Sequence, residues 1–278
     1  MLRGLTRSSI VVAASIGAVA TGTPSFADEP PRLELGVGVT GISVPDYRGA
    51  AEQQNYLLPF PFVVYRGERI RADRDGVRGL LFKSRRVELN ASVGGYVPVD
   101  SEDNPQRQGM PDLDSTFEVG PSLNVNLSDS GARGPRFRIP LRASISIGSD
   151  GVSHAGWRVH PVFELPFKQR IAGFAVKMQI GPQFANSAYH DYYYSVTEAD
   201  VRPGRPAFSA GGGYSGLSFQ LSATRRMSDR AWLGAFVRYD DLRETAFDDS
   251  PLVVDDGALL VGIAAAWIVH RSGRAEFP

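Results

Sequence analysis

The chain has 278 residues with 30 basic and 30 acidic side chains, four histidines and no cysteine. Balanced charge leaves no basic face for nucleic acid, and without cysteine there are no disulfide frameworks, thiol nucleophiles, Cys-ligated zinc or acylated lipoprotein anchors. No nucleotide-binding glycine loop or EF-hand spacing is present, so neither a cofactor nor a metal is expected.

In chain order, Arg3 and Arg7 precede an apolar run from Ile10 to Ala20. Ser25-Phe26-Ala27 then supplies a small-x-small cleavage pattern ahead of polar Asp28-Glu29-Pro30-Pro31. Residues 1–27 therefore read as a secretory signal and residues 28–278 as one exported domain. The run is shorter than the roughly 18 to 20 residues of a retained helical anchor, and no later run reaches that length. Two classes remain: a soluble exported protein, or a transmembrane barrel whose strands need only about 9 to 11 residues.

The dominant pattern after the leader is period-2 alternation. It is clearest at Phe137, Ile139, Leu141, Ala143, Ile145 and Ile147, interleaved with Arg138, Pro140, Arg142, Ser144 and Ser146. Reading every such segment predicts about 12 strands, near 32–41, 55–66, 68–73, 76–83, 86–97, 115–127, 136–148, 156–167, 171–184, 211–224, 231–241 and 257–269. Pro59, Pro61, Pro121, Pro140, Pro161, Pro166 and Pro182 fall inside these segments, where a missing N–H marks bulges or strand ends. Glycines such as Gly36, Gly94 and Gly212 serve curvature.

The connections alternate between longer and shorter, from Ile42–Gln54 and Gly67 at the start to Ala185–Ala210 and Arg225–Arg230 near the end, with Arg74-Asp75 the exception. Bacterial outer-membrane barrels have long outer loops and short periplasmic turns, and an even strand count brings both termini to the periplasm. A soluble sandwich gives no reason for this alternation. The predicted fold is an all-β, antiparallel, up-and-down transmembrane barrel in the outer membrane, in contact with its lipid and lipopolysaccharide; oligomeric state is left open.

Particular blocks then carry a resemblance: Pro45-Asp46-Tyr47-Arg48-Gly49, Leu58-Pro59-Phe60-Pro61-Phe62-Val63-Val64-Tyr65-Arg66-Gly67, Ala72 to Gly79, Pro98 to Asn104, Gly109 to Asp114 leading into Phe117 to Pro121, Tyr189 to Val196, and Ser250 to Val253. Their order and spacing resemble the MipA/OmpV family of outer-membrane proteins over nearly all of the mature chain. The resemblance implies a non-catalytic scaffold that joins a murein transglycosylase to a penicillin-binding protein, and it supplies no catalytic residues. Other members are described as porin-like. The family typically closes on an aromatic-x-Phe pattern, whereas here Trp267-Ile268-Val269 is followed by a polar tail, so either Trp267 or Phe277 stands in as the terminal aromatic or assembly is less efficient.

On the polar faces, Arg138, Arg142, Arg158, His160 and Glu164 fall close together, with Glu88, Glu118 and Lys177 on nearby strands. In a narrow lumen such charges pair and fill the bore. The alternative is the selectivity lining of a narrow, porin-like channel for small anionic solutes, since Arg suits carboxylate and phosphate. Tyr189, Tyr192, Tyr193, Tyr194, Trp157, Trp232 and Trp267 are expected as membrane-interface aromatics. Among the histidines, His190 beside Asp191, with Ser187 and Ser195 near, is the one cluster suggestive of hydrolysis; it reads as a polar loop at the aqueous rim, without triad spacing. The acidic stretches around Asp100, Asp112 and Asp240 to Asp256 read as solvated loops, with divalent cations shared with lipopolysaccharide phosphates as the alternative.

Overall fold

The computed structural model describes residues 31–272 other than 68, 74, 75, 97, 98, 131–133, 149 and 150. The leader and Phe277 lie outside the described residues. Thirteen strand segments form one sheet: β1 (Leu33–Pro45), β2 (Gln53–Arg66), β3 (Ile70–Asp73), β4 (Gly76–Lys83), β5 (Val87–Tyr96), β6 (Ser115–Asn126), β7 (Arg136–Gly148), β8 (Gly151–Val159), β9 (Val162–Pro166), β10 (Ala175–Ala185), β11 (Gly213–Arg226), β12 (Ala231–Asp241) and β13 (Gly257–Arg271). β8 and β9 lie end to end between β7 and β10, so the antiparallel sheet is a ring of 12 strands.

The ring closes where β13 pairs with β1, from Glu34 opposite Arg271 to Ser43 opposite Val261. Closure satisfies the backbone of both would-be edge strands, the condition for crossing hydrocarbon with strands. The pleat sends one residue set outward: Val37, Leu57, Ile139, Leu141, Ile263 and Trp267 are exposed. Their neighbours point inward, and Glu118, Ser122, Ser144, Glu164 and Asp240 are buried in the bore. An apolar outside around a polar inside is the inverse of a soluble barrel and makes this a transmembrane one.

Short turns and the two described ends of the chain gather at one rim, where the Leu33 N–H donates to Ser272 Oγ at 3.0 Å. Long loops gather at the other. They contain a short helix, α1 (Ser187–Tyr194), capped by Asn186, whose side chain accepts from the Tyr189 N–H.

Two expected boundaries move. Residues 151–155, expected in a loop, extend β8: Val152 and Ser153 pair with Ile147 and Ser146, and the Ser146 and Ser153 hydroxyls lie 2.7 Å apart. With Val152 the one large apolar side chain among Gly151, Ser153, His154 and Ala155, the segment shows no alternation. The expected strand at 156–167 is interrupted at His160-Pro161, since proline brings no N–H to the ladder. Residues 171–174 form a tight turn before β10, with Ile171 and Phe174 bonded reciprocally.

Ile263, 65% exposed, lies near the middle of β13. Ile263→Arg should lower stability by about 2–4 kcal/mol in lipid vesicles, measured by urea unfolding. An unchanged midpoint would mean that this face does not meet hydrocarbon.

Candidate functional site

Three acids organise the ionic part of the bore. Glu118 on β6 lies 2.6 Å from Arg158 Nε and 3.9 Å from Arg142 Nη1. Glu164 on β9 accepts from Arg136, from Arg138 Nη2 at 3.2 Å and from Gln179 Nε2 at 2.5 Å. Asp240 on β12 takes both arms of Arg238 at 2.8 Å, with Arg48 Nη1 at 3.9 Å. Gln183 joins the first group to the third, its Oε1 accepting from Arg158 at 3.2 Å and Arg238 at 3.3 Å. These carboxylates are at most 1% exposed, and buried charges hold only when opposed and hydrogen-bonded in this way. Of the other expected lumen residues, Lys177 is buried on β10, His160 Nε2 lies 2.8 Å from Ser218 Oγ, and Glu88 faces Arg78 at 4.0 Å, apart from the Glu118 group.

The opposite wall of the bore is mainly apolar, apart from buried Glu34 near the short-turn rim, which Arg66 and Arg271 oppose at 3.5 and 3.8 Å. On β12, β13, β1 and β2 the inward side chains include Phe236, Leu260, Ile42, Val44 and Tyr56, which line the same cavity as the arginines. Nearer the short-turn rim, Phe62, Val64, Ala266 and Ile268 pack together with Phe60 and Trp232. The unbroken apolar run Leu57 to Val64 carries the signal for a wall apolar on both faces, which alternation alone does not reveal.

The long loops fold over the outer rim and bury a second core of Tyr47, Val99, Leu113, Tyr194, Val196, Leu242, Phe247 and Leu252. Tyr194 stacks on Phe247 with ring centroids 3.7 Å apart, and the Tyr47 hydroxyl donates to the Leu252 carbonyl at 2.8 Å. Buried Arg107 donates to Ser101 Oγ at 3.1 Å and to the Tyr193 carbonyl at 3.3 Å. Gly156 lets α1 approach β8: its φ of +110° is one that L residues rarely adopt, and a Cβ there would sit 2.6 Å from Asn186 Oδ1.

His190 fastens this cap to the wall. Its Nδ1 lies 2.6 Å from the Gly211 carbonyl, so the proton is on Nδ1 and Nε2 accepts from Ser215 Oγ at 3.0 Å. Ser215 Oγ in turn accepts from Arg48 Nη2 at 2.7 Å. His190 and Ser215 are both buried, and the imidazole's second nitrogen is engaged by a carbonyl where a triad would place a carboxylate. The arrangement joins α1, the first loop and β11.

Several expected placements are corrected. Tyr189 and Tyr194 are almost fully buried, and Tyr192 and Tyr193 pack against the same core, so the four form part of the cap and not a lipid-facing belt. A short helix turned inward replaces the expected exposed loop. Trp232 faces the bore, whereas Trp157 and Trp267 are exposed on the outer surface. His190 is buried, not at the aqueous rim, and Asp240 is a lumen residue, not part of a solvated loop. Asp241 next to it does face outward to Arg243, at 2.9 Å from Arg243 Nε.

Two outcomes follow from this geometry. Glu118→Gln leaves Arg142 and Arg158 without their shared charge and should cost about 3–5 kcal/mol in urea unfolding, partly recovered by adding Arg142→Gln. Burial and Arg48 push the His190 pKa below its ordinary 6.5, against opposing contributions from the Gly211 carbonyl and Asp191; Tyr189, Tyr194 and Phe247 complete its surroundings. A lowered folded-state value means that the cap is most stable above pH about 6.5 and loses stability as pH falls below it. Melting of the tyrosine near-ultraviolet signal should therefore shift down on acidification, and His190→Gln should flatten that dependence.

No curated protein matches the chain. Among solved structures it is similar to the NanC porin (9% identity, 83% of this chain and 98% of that one, TM-score 0.39). It is also similar to an outer membrane channel from Pseudomonas putida F1 (10% identity, 90% and 100% covered, TM-score 0.42), and to the CymD monoaromatic hydrocarbon channel (10% identity, 87% and 90% covered, TM-score 0.37). The barrel assignment rests on the chain's own closed ring. A family model described as MltA-interacting protein MipA matches residues 37–269, and with nearly the whole barrel inside that match, the chain belongs to the MipA family.

Proposed function

We propose that this chain is a structural barrel of the bacterial outer membrane that holds cell-wall enzymes at its periplasmic rim. The name of its family describes interaction with MltA, a murein transglycosylase, and a penicillin-binding protein is the second expected partner. The observation that carries the reading is that the bore is occupied: ion pairs fill one side, apolar side chains the other, and the loops fold into a hydrophobic core over the outer rim. A barrel so filled offers its surfaces rather than a path. Short turns face the periplasm in other barrels of this kind, and in this reading the Lys83–Arg86 and Arg226–Arg230 turns and the two described ends of the chain lie beside the murein layer.

The ionic side of the bore favours a second reading, a narrow channel for anions, in which the cap must move aside for conduction. The refolded chain in planar bilayers should be electrically silent, and in nanodiscs it should retain a purified murein transglycosylase. Stable conductance steps that shift on Arg142→Gln, with no enzyme retained, would replace the scaffold reading with the channel.

A further inference from the structure

The cavity between the cap and the filled lower bore has a volume of about 280 Å³, and its two walls differ in chemistry. Arg138, Arg142, Arg158, Lys177, Arg238 and, from the first loop, Arg48 line it, against the carboxylates Asp46, Asp114 and Glu118. Glu164 and Asp240 pair with arginines of the same group, yet cations still outnumber acids, and Arg136 on Glu164 adds another. Whatever hydrogen bonds these cations make, an excess of positive charge within a bilayer-spanning bore is costly unless an anion offsets it. Arg138, whose Nη2 meets Glu164, keeps a buried Nε with no hydrogen-bond partner among the described residues. A buried N–H without an acceptor is a group that a bound anion would satisfy.

Facing the arginines are Ile42, Val44, Phe236 and Leu260, with Tyr56 beside them. Small-molecule sites combine such apolar walls with a few convergent polar groups. We propose that this cavity binds an organic acid: a carboxylate or phosphate head against Arg138 and Arg142, and a compact apolar body, the size of one ring, against Phe236 and Leu260. Guanidinium forks suit either head group. The site is independent of whether the barrel holds cell-wall enzymes, since it lies inside the bore and not on the periplasmic rim.

The test uses the refolded chain in nanodiscs, with folding confirmed by a heat-modifiable band, and fluorine NMR of 4-fluorobenzoate, 4-fluorobenzyl alcohol and, by competition, inorganic phosphate. The benzoate should bind saturably and at least about tenfold more tightly than the alcohol or phosphate. Arg138→Gln and Phe236→Ala should each weaken it by about tenfold, the first through the head and the second through the body. Equal affinity for acid and alcohol, or no saturable binding, would overturn the proposal without recourse to any variant. Phosphate matching the benzoate would overturn the amphiphilic assignment, and folded variants that bind as the parent does would overturn the location.

Discussion

Everything in this barrel depends on the pairing of β13 with β1. In hydrocarbon each backbone N–H and C=O needs a protein partner, so the sheet has to close on itself. Closing it at 12 strands leaves a bore narrow enough for side chains to meet across it. The period of the strand then sends one set of residues to lipid and the other inward, where charge and hydrogen bonding have to balance without bulk solvent.

The inward set balances in two ways. From β4 round to β12, carboxylates such as Glu118, Glu164 and Asp240 are each opposed by guanidinium groups. Along β13, β1 and β2 the interior is mainly apolar, where Phe62 and Ile268 pack with Trp232 of β12 as a core would, and buried Glu34 near the short-turn rim is met by Arg66 and Arg271. The cap reconciles the two halves: its tyrosines and leucines extend the apolar packing, while Arg48 reaches from the first loop to Ser215 and Asp240. The result is a barrel closed over a cavity, ionic on one side and apolar on the other.

Most of the strand order is legible in the sequence, because alternation and connection length are local signals. Phe137 to Ile147 could hardly fold otherwise. What escaped had weak or misleading local chemistry. Residues 151–155, Gly-Val-Ser-His-Ala, hold one large apolar side chain and so hide a strand, and Pro161 splits one that hydrophobicity continues. The tyrosines of α1 look like interfacial anchors until the helix is seen to turn inward onto Phe247, and Asp240, first of an acidic stretch, points inward because the strand ends one residue later. The lumen arginines and acids were readable as a group, but which acid serves which arginine depends on register across strands far apart in sequence.

A packed cap continuous with the barrel wall closes the outer rim. Hydrogen–deuterium exchange of the refolded chain in nanodiscs tests it most directly. Amides of α1 bonded within the helix, such as that of His190 to the Asn186 carbonyl, should exchange slowly, together with those of the neighbouring strands. Exchange of α1 and of residues 242–253 at the rate of free peptide, with the strands protected, would contradict it and leave an open-mouthed barrel.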